Sequence, residues 1–329
     1  LTKKDTPTHS TLITDLDMSN SSICAILNPT AGNGQAGREK NNIARALAAH
    51  FDHWVIWETK GPKHASVLAR KAAEENFSMV AAVGGDGSCH EVVNGLMTID
   101  ADKRPTLAVI PFGTGGDFRR SLNVPKDIQQ AIAIAKNGNR KQIDIGEAKV
   151  STPSGSEQRY FVNVAGFGAN GEVVDKSNRW SKRLGGRLTF LNATLHTTFT
   201  YRAPTVQMKW TTPEQTEQTW TGELLSCFIA NASFCGGGMR VAPKTALGDG
   251  QLHLRALPNL SVPSQLVHLP KLYKDEIHKV EGAVVGQIHH LEAASRRGTK
   301  VQIDLDGELS GFLPASFGIL PMALHVMTK

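Results

Sequence analysis

The segment Gly84-Gly85-Asp86-Gly87-Ser88 puts three glycines in four positions, ahead of a helix-like stretch carrying Cys89, His90, Glu91 and Asn94. Such a run removes side-chain bulk, permits positive φ and exposes amides at a helix N-terminus, where hydrogen bonding and the dipole favour a phosphate. Ser88 can cap that helix or bind a phosphate oxygen. Asp86 suits an anion site when a cation such as Mg2+ stands between it and the phosphates, the alternative being a turn residue bonded to its own backbone. Pro111-Phe112-Gly113-Thr114-Gly115-Gly116-Asp117-Phe118 repeats the recipe: glycine for access, a hydroxyl, then a carboxylate. The stretch Asn28-Pro29-Thr30-Ala31-Gly32-Asn33-Gly34 could also bring amides to an anion, but its residues are equally those of an ordinary turn.

A second kind of chemistry resides near the C-terminus. From Val301 to Asp306 the apolar residues alternate, so Gln302, Asp304 and Asp306 share one face of a strand. By pattern alone all three are solvated strand residues. The Gly307-Glu308 pair that follows sets Asp306 apart as functional, whereas Asp304 keeps the solvated reading. Gly248-Asp249-Gly250 reads as a β-turn. Lys176, Arg179, Lys182, Arg183 and Arg187 beside Trp180 could meet acidic headgroups, although a solvated helix entry is favoured. His289 and His290 have no partners at metal-ligand spacing.

The elements that must position these residues fall into two sets. Apolar runs at 23–28, 53–58, 79–83 and 106–110 predict strands, and the stripes Ala65/Leu68/Ala72, Cys89/Val92/Val93/Leu96 and Ile128/Ala131/Ile132/Ala135 predict helices between or after them. Alternating strands and helices imply a mainly parallel sheet, whose ligands gather beyond the carboxyl ends of the strands, where the glycine loops fall. After Asp144 the period becomes two, as in Val206/Met208/Trp210, Leu252/Leu254 and Val301/Ile303/Leu305, and predicts antiparallel strands. One helix is expected to interrupt them, with Leu184, Leu188, Leu191 and Leu195 on a stripe. The 329 residues exceed one ordinary core, and 40% hydrophobic with 20% charged residues excludes disorder. A net charge of +6 favours anionic partners without selecting nucleic acid, for which no recognition motif is present. Cys24, Cys89, Cys227 and Cys235 lack CxxC spacing and read as reduced, packed thiols. With no long apolar run and no export signal, a cytoplasmic protein is expected.

Taken together, the motifs resemble the bacterial soluble diacylglycerol kinases, which share their catalytic domain with sphingosine and ceramide kinases. The resemblance rests on Asn-Pro with a following glycine at 28–32, GGDGSCHEVVNGL at 84–96, PFGTGGDF at 111–118, and Asp144 in QIDIG. FCGGGMRVAP at 234–243, GDG at 248–250 and Asp306-Gly307-Glu308 complete it. It implies a Rossmann-like three-layer α/β nucleotide-binding domain and a C-terminal antiparallel β-sandwich for the lipid. The expected division is a flexible leader at 1–21, a catalytic domain at 22–145 plus 316–329, and a substrate domain at 146–315. By the same resemblance Asn28, Thr59, Gly84, Gly85, Asp86, Gly87, Ser88, Cys89, His90, Glu91 and Thr114 contact ATP. Asp86, Asp117 and Asp144 form the network for catalytic Mg2+. Ala246, Asp249 and Gln251 hold a structural Mg2+. Asp306 is the base for the lipid hydroxyl, with Glu308 beside it. Ser88 stands where threonine is commoner, and Gly116 replaces the usual asparagine, which is expected to loosen its loop. The implied partner is diacylglycerol or a similar lipid, with peripheral contact to the inner membrane face and no nucleic acid. A dimer is compatible with all of this. An NAD kinase, which shares the GGDG loop, and a nucleotide-binding regulator without turnover are the rival readings.

Overall fold

The computed structural model describes residues 22–329 apart from 114, 181–185, 243–246 and 275, and not the side chains at 186, 187 and 297. The expected leader at 1–21 lies outside the described residues. Strands β1 (Ser22–Leu27), β2 (His53–Glu58), β3 (Met79–Gly84) and β4 (Thr106–Pro111) pair in parallel in the order β2-β1-β3-β4. β3 is buried at all six positions, as a strand covered on both faces must be. One face carries helices α3 (His64–Glu74) and α4 (Asp86–Leu96), whose Ala65, Leu68, Val92 and Leu96 share a core with Cys24, Val80 and Val109. The other face carries α1 (Ala31–Arg38), α2 (Lys40–His50) and, after the short α5 (Asp117–Ser121), α6 (Ile128–Asn137).

The antiparallel region begins earlier than the change of period suggested, because Asp144 lies inside the long strand β5 (Asn139–Thr152). It continues through β6 (Gly155–Phe161), β7 (Val164–Gly168), α7 (Ala169–Arg179), α8 (Gly186–Thr200), β8 (Thr205–Thr211) and β9 (Glu217–Ala230). After a small hairpin of β10 (Phe234–Cys235) and β11 (Met239–Arg240) come β12 (Leu252–Pro258), α9 (Val262–His268), β13 (Val284–Ile288), β14 (His290–Ser295), β15 (Gln302–Leu305) and β16 (Glu308–Thr328). Ladders run from β9 to β7, β15, β16, β14, β8 and back to β9, so the sheet curls on itself around Phe161, Phe167, Met208, Ile303 and Phe317. Among the described residues three α-helices interrupt the strands where one was expected. On α8, Leu188 and Leu191 are exposed, and both line the cavity described below.

β16 joins the two parts. It pairs with β15 and β14 in the curled sheet, with β5 along most of its length, and with β4 in parallel at Val326. One continuous strand thus links the parallel sheet to the acidic turn at Asp306.

Candidate active site

The three glycine loops lie side by side at the carboxyl ends of β1, β3 and β4. The Phe112 amide donates to Gly84 O at 2.7 Å, and a Cβ on Gly113 would stand 3.2 Å from Gly85 Cα. Gly85 precedes α4 and no side chain caps that helix, which leaves first-turn amides open to an anion. Gly32, Asn33 and Gly34 have φ of 61°, 57° and 80°, a left-handed run that a bulkier sequence resists. A Cβ on Gly84 would collide with Ser88, and the Asn28 side-chain Nδ2 donates to Ser88 Oγ at 3.4 Å.

Asp86 spans the second and third loops. It accepts from the amides of Gly116 at 2.8 Å, Asp117 at 3.1 Å and Phe118 at 3.1 Å, and so caps α5. Gly116 has φ +69° there, so glycine fits this turn without strain and the loop is pinned instead of loosened. Asp117 is buried; Arg120 pairs with one oxygen and the Gly237 amide donates to the other at 2.7 Å. Burial, then the Asp86 charge, pushes Asp117 up to about 6.

The acidic turn faces these loops. Leu305 pairs with Glu308, and Asp306 and Gly307 between them have φ of +54° and +83°, the conformation that an Asp-Gly hairpin adopts readily. The Asp306 side chain is fully buried. Its Oδ1 accepts from the Asn163 amide at 2.8 Å and the Val164 amide at 3.2 Å, and its Oδ2 from the Val162 amide at 3.0 Å. His90 Nδ1 lies 3.0 Å from Oδ2 and links α4 to the turn. Four partners surround the residue expected to be the base, and they tie the turn to α4 and to the segment at 162–164. Asp304 corrects the sequence reading in the opposite direction. It is buried and not solvated, and its Oδ2 has no hydrogen-bond partner. Burial pushes it up to about 7, against a backbone bond from Gly307 and with help from the Asp306 charge.

All of this opens on one cavity of about 870 Å3. Gly85, Asp86, Gly113, Asp117, Asp304, Asp306 and Glu308 line one part, and Val173, Val174, Leu188, Phe190 and Leu191 line an apolar extension. A more polar cavity of about 510 Å3 lies behind the loops and shares Gly85, Asp86, Phe112 and Gly113 with it.

Other expected site residues are placed elsewhere. Glu91 caps α3, accepting from the Lys63 amide at 2.7 Å and the Ala65 amide at 3.1 Å. Cys89 is buried, and burial raises its thiol well above the ordinary range. Thr59 closes the β1–β2 end, its amide donating to Leu27 O at 2.8 Å. Gly87 sits against Glu308, whose Oε1 would be 2.5 Å from a Cβ there. Asp144 lines neither cavity. Its oxygens accept from the Met322 amide at 2.7 Å and the Gly250 amide at 2.6 Å, so it ties two loops together. Asp249 accepts from the Gln251 amide at 3.0 Å, and Gln251 Oε1 is buried without a partner. Thr114 and Ala246 lie outside the described residues. Of the basic cluster, Lys176 pairs with Glu172 and Arg179 with Asp175, both within α7; Lys182 and Arg183 are outside the described residues.

Sequence reasoning missed Asn163, Gly166 and Asn170, which line the cavity beside Asp304. A Cβ on Gly166 would stand 2.6 Å from Asp304 Oδ2. Glycine inside a strand was the available signal, since it often marks a close approach.

The diacylglycerol kinase catalytic domain family matches residues 22–148. The YegS C-terminal NAD kinase beta sandwich-like domain family matches residues 163–328. A diacylglycerol kinase of Bacillus subtilis is 30% identical over 299 residues, 89% of this chain and 87% of that protein. One from Staphylococcus saprophyticus is 26% identical, covering 92% and 94%. In fold, the chain is similar to the crystal structure of a putative diacylglycerol kinase from Bacillus anthracis, with TM-score 0.74, 24% identity and coverage of 94% and 97%.

Proposed function

The chain belongs to the diacylglycerol kinase catalytic domain family and is a lipid kinase, and from that premise we propose that it moves the γ-phosphoryl group of ATP onto the hydroxyl of diacylglycerol or a similar lipid. The observation that carries this reading is the single cavity in which amide-rich loops, a carboxylate cluster and an apolar extension meet. The amides of the loops after β1, β3 and β4 would hold phosphates, and the apolar extension would take acyl chains.

Asp86 and Asp117 suit Mg2+. The Asp86 charge helps to push Asp117 up, and a divalent cation relieves such repulsion. Bound there, Mg2+ would neutralise charge on the transferring phosphoryl group. The orphaned Gln251 Oε1 beside Asp249 suits a second cation. Within this chain, Asp86 holds the third loop against the second, His90 and Asp306 hold α4 against the acidic turn, and the carboxylates of that turn stand where the hydroxyl proton must go. The strand order β2-β1-β3-β4, with helices on both faces, supports a Rossmann-like nucleotide domain at 22–145 completed by the end of β16.

Among the described residues no helix is long and apolar enough to cross a membrane. Exposed Leu188, Leu191 and Phe199 of α8 and Leu266 and Val267 of α9 supply a surface for peripheral docking at the inner membrane face. The β-sandwich is of a type described as NAD kinase-like, so the decisive assay offers labelled ATP and Mg2+ to diacylglycerol and NAD side by side. Label is expected in the lipid; label in NAD alone overturns the reading.

A further inference from the structure

Resting on the lipid-kinase reading above, we propose that Tyr273 determines substrate specificity, its hydroxyl donating to the ester carbonyl beside the reacting hydroxyl of an acylglycerol. After α9 the chain forms a short 3-10 turn, Leu269–Tyr273, with Pro270 near its start. Successive side chains point about 120° apart in such a turn. Leu272 packs with Met239, Val241 and Ile277, whereas Tyr273 is 48% exposed and lines the large cavity. It stands there with Cys235, Gly237 and Asp117 on the phosphate side and with Leu260 and Ile277 on the apolar side.

The 3-10 turn packs against β11, whose hairpin brings the Gly237 amide to Asp117 at 2.7 Å. A side chain with an apolar ring and a polar tip suits the boundary between carboxylates and apolar wall. The glycerol part of an acylglycerol belongs at the same boundary, because its acyl chains need the apolar wall and its free hydroxyl must reach the phosphoryl group. Asn170, Thr194 and Gln265 line the same cavity, but their side chains already donate to main-chain carbonyls, at 2.9, 2.9 and 2.8 Å. The Tyr273 hydroxyl has no hydrogen-bond partner among the described residues. Burial, then Cys235 and Asp117, push its phenol up, so it keeps its proton at neutral pH and remains a donor. An ester carbonyl accepts such a bond, and an ether at that position does so poorly. The carbonyl is unchanged by phosphoryl transfer, so the bond holds substrate and transition state alike and is felt in KM.

The test is steady-state kinetics of the full chain with ATP and Mg2+ in mixed micelles, comparing wild type with Tyr273→Phe on dioleoylglycerol and on its dialkyl ether analogue, which lacks the ester carbonyls. Tyr273→Phe is expected to raise KM for dioleoylglycerol about 10-fold, the worth of one hydrogen bond between neutral groups, with kcat and KM for ATP unchanged. Wild type should use the ester about 10-fold better than the ether in kcat/KM, and the variant should treat the two alike. A variant that still prefers the ester, or that loses activity equally on both lipids as a structural lesion would cause, overturns the proposal. Phe keeps the ring, and thermal unfolding checks that the variant is folded. Should it not be, the wild type decides: equal use of both lipids overturns the proposal, and preference for the ester supports it. Absence of phosphorylation of both lipids by the wild type overturns the lipid reading instead.

Discussion

The loop edge of the parallel sheet and the acidic turn of the curled sheet both hold carboxylates, and they use them differently. At the loop edge Asp86 receives three amides and holds α5. At the turn, two residues of one hairpin divide the labour: Asp306 is filled and fixes the chain, while Asp304 is left wanting a donor. The difference teaches that burial by itself does not identify a reactive carboxylate. A fully bonded one has its negative charge already spread over N–H groups, whereas an unbonded one is pushed towards its neutral form.

The sharpest way to break this contrast is Asp306→Asn, which sets an amide NH2 against backbone N–H groups. Urea unfolding should show a loss of roughly 3–5 kcal/mol, the scale for breaking a buried charged network, and little change would mean that these bonds do not hold the turn. Next comes Asp86→Ala, expected to cost about 2 kcal/mol as α5 loses its cap and to raise KM for Mg-ATP; unchanged values for both would detach the third loop from Asp86. Asp304→Asn should act on stability with the opposite sign to Asp306→Asn. A carboxyl raised from 3.8 to about 7 imposes no cost below its unfolded pKa and an increasing one as pH rises through the folded value. The variant should therefore melt close to wild type at pH 4 and higher than wild type at pH 8, and a lower melting temperature at pH 8 would show that Asp304 has a hidden partner. The smallest effect is expected at Gly87→Ala, under about 1 kcal/mol, because the group it meets is the far end of the flexible Glu308 side chain. A large loss there would show that Glu308 is held as firmly as Asp306.

Much of the parallel region was legible in advance. The four strands begin and end within a residue or so of their apolar runs, and the glycine loops sit at their carboxyl ends, because period and glycine act locally. The antiparallel half was less readable. Helix α7 follows Gly168 with Val173 and Val174 buried, yet its polar composition hid it, and the α8 stripe faced a cavity instead of a core. Asp144 belonged by motif with Asp86 and Asp117, but its ties to Gly250 and Met322 arise from chain far downstream.

By itself the sequence determined the α/β-then-β order of the chain and the positions where backbone amides can approach a phosphate, because each depends on neighbours within a few residues. Which carboxylate is filled was decided by tertiary structure. Asp306 meets its donors at 162–164, Asp117 meets Gly237 and Asp144 meets Met322, separations over 100 residues in each case. Asp304 Oδ2 meets none, and an alternating pattern that assigns faces cannot say whether the polar face will find water, a partner or a cavity.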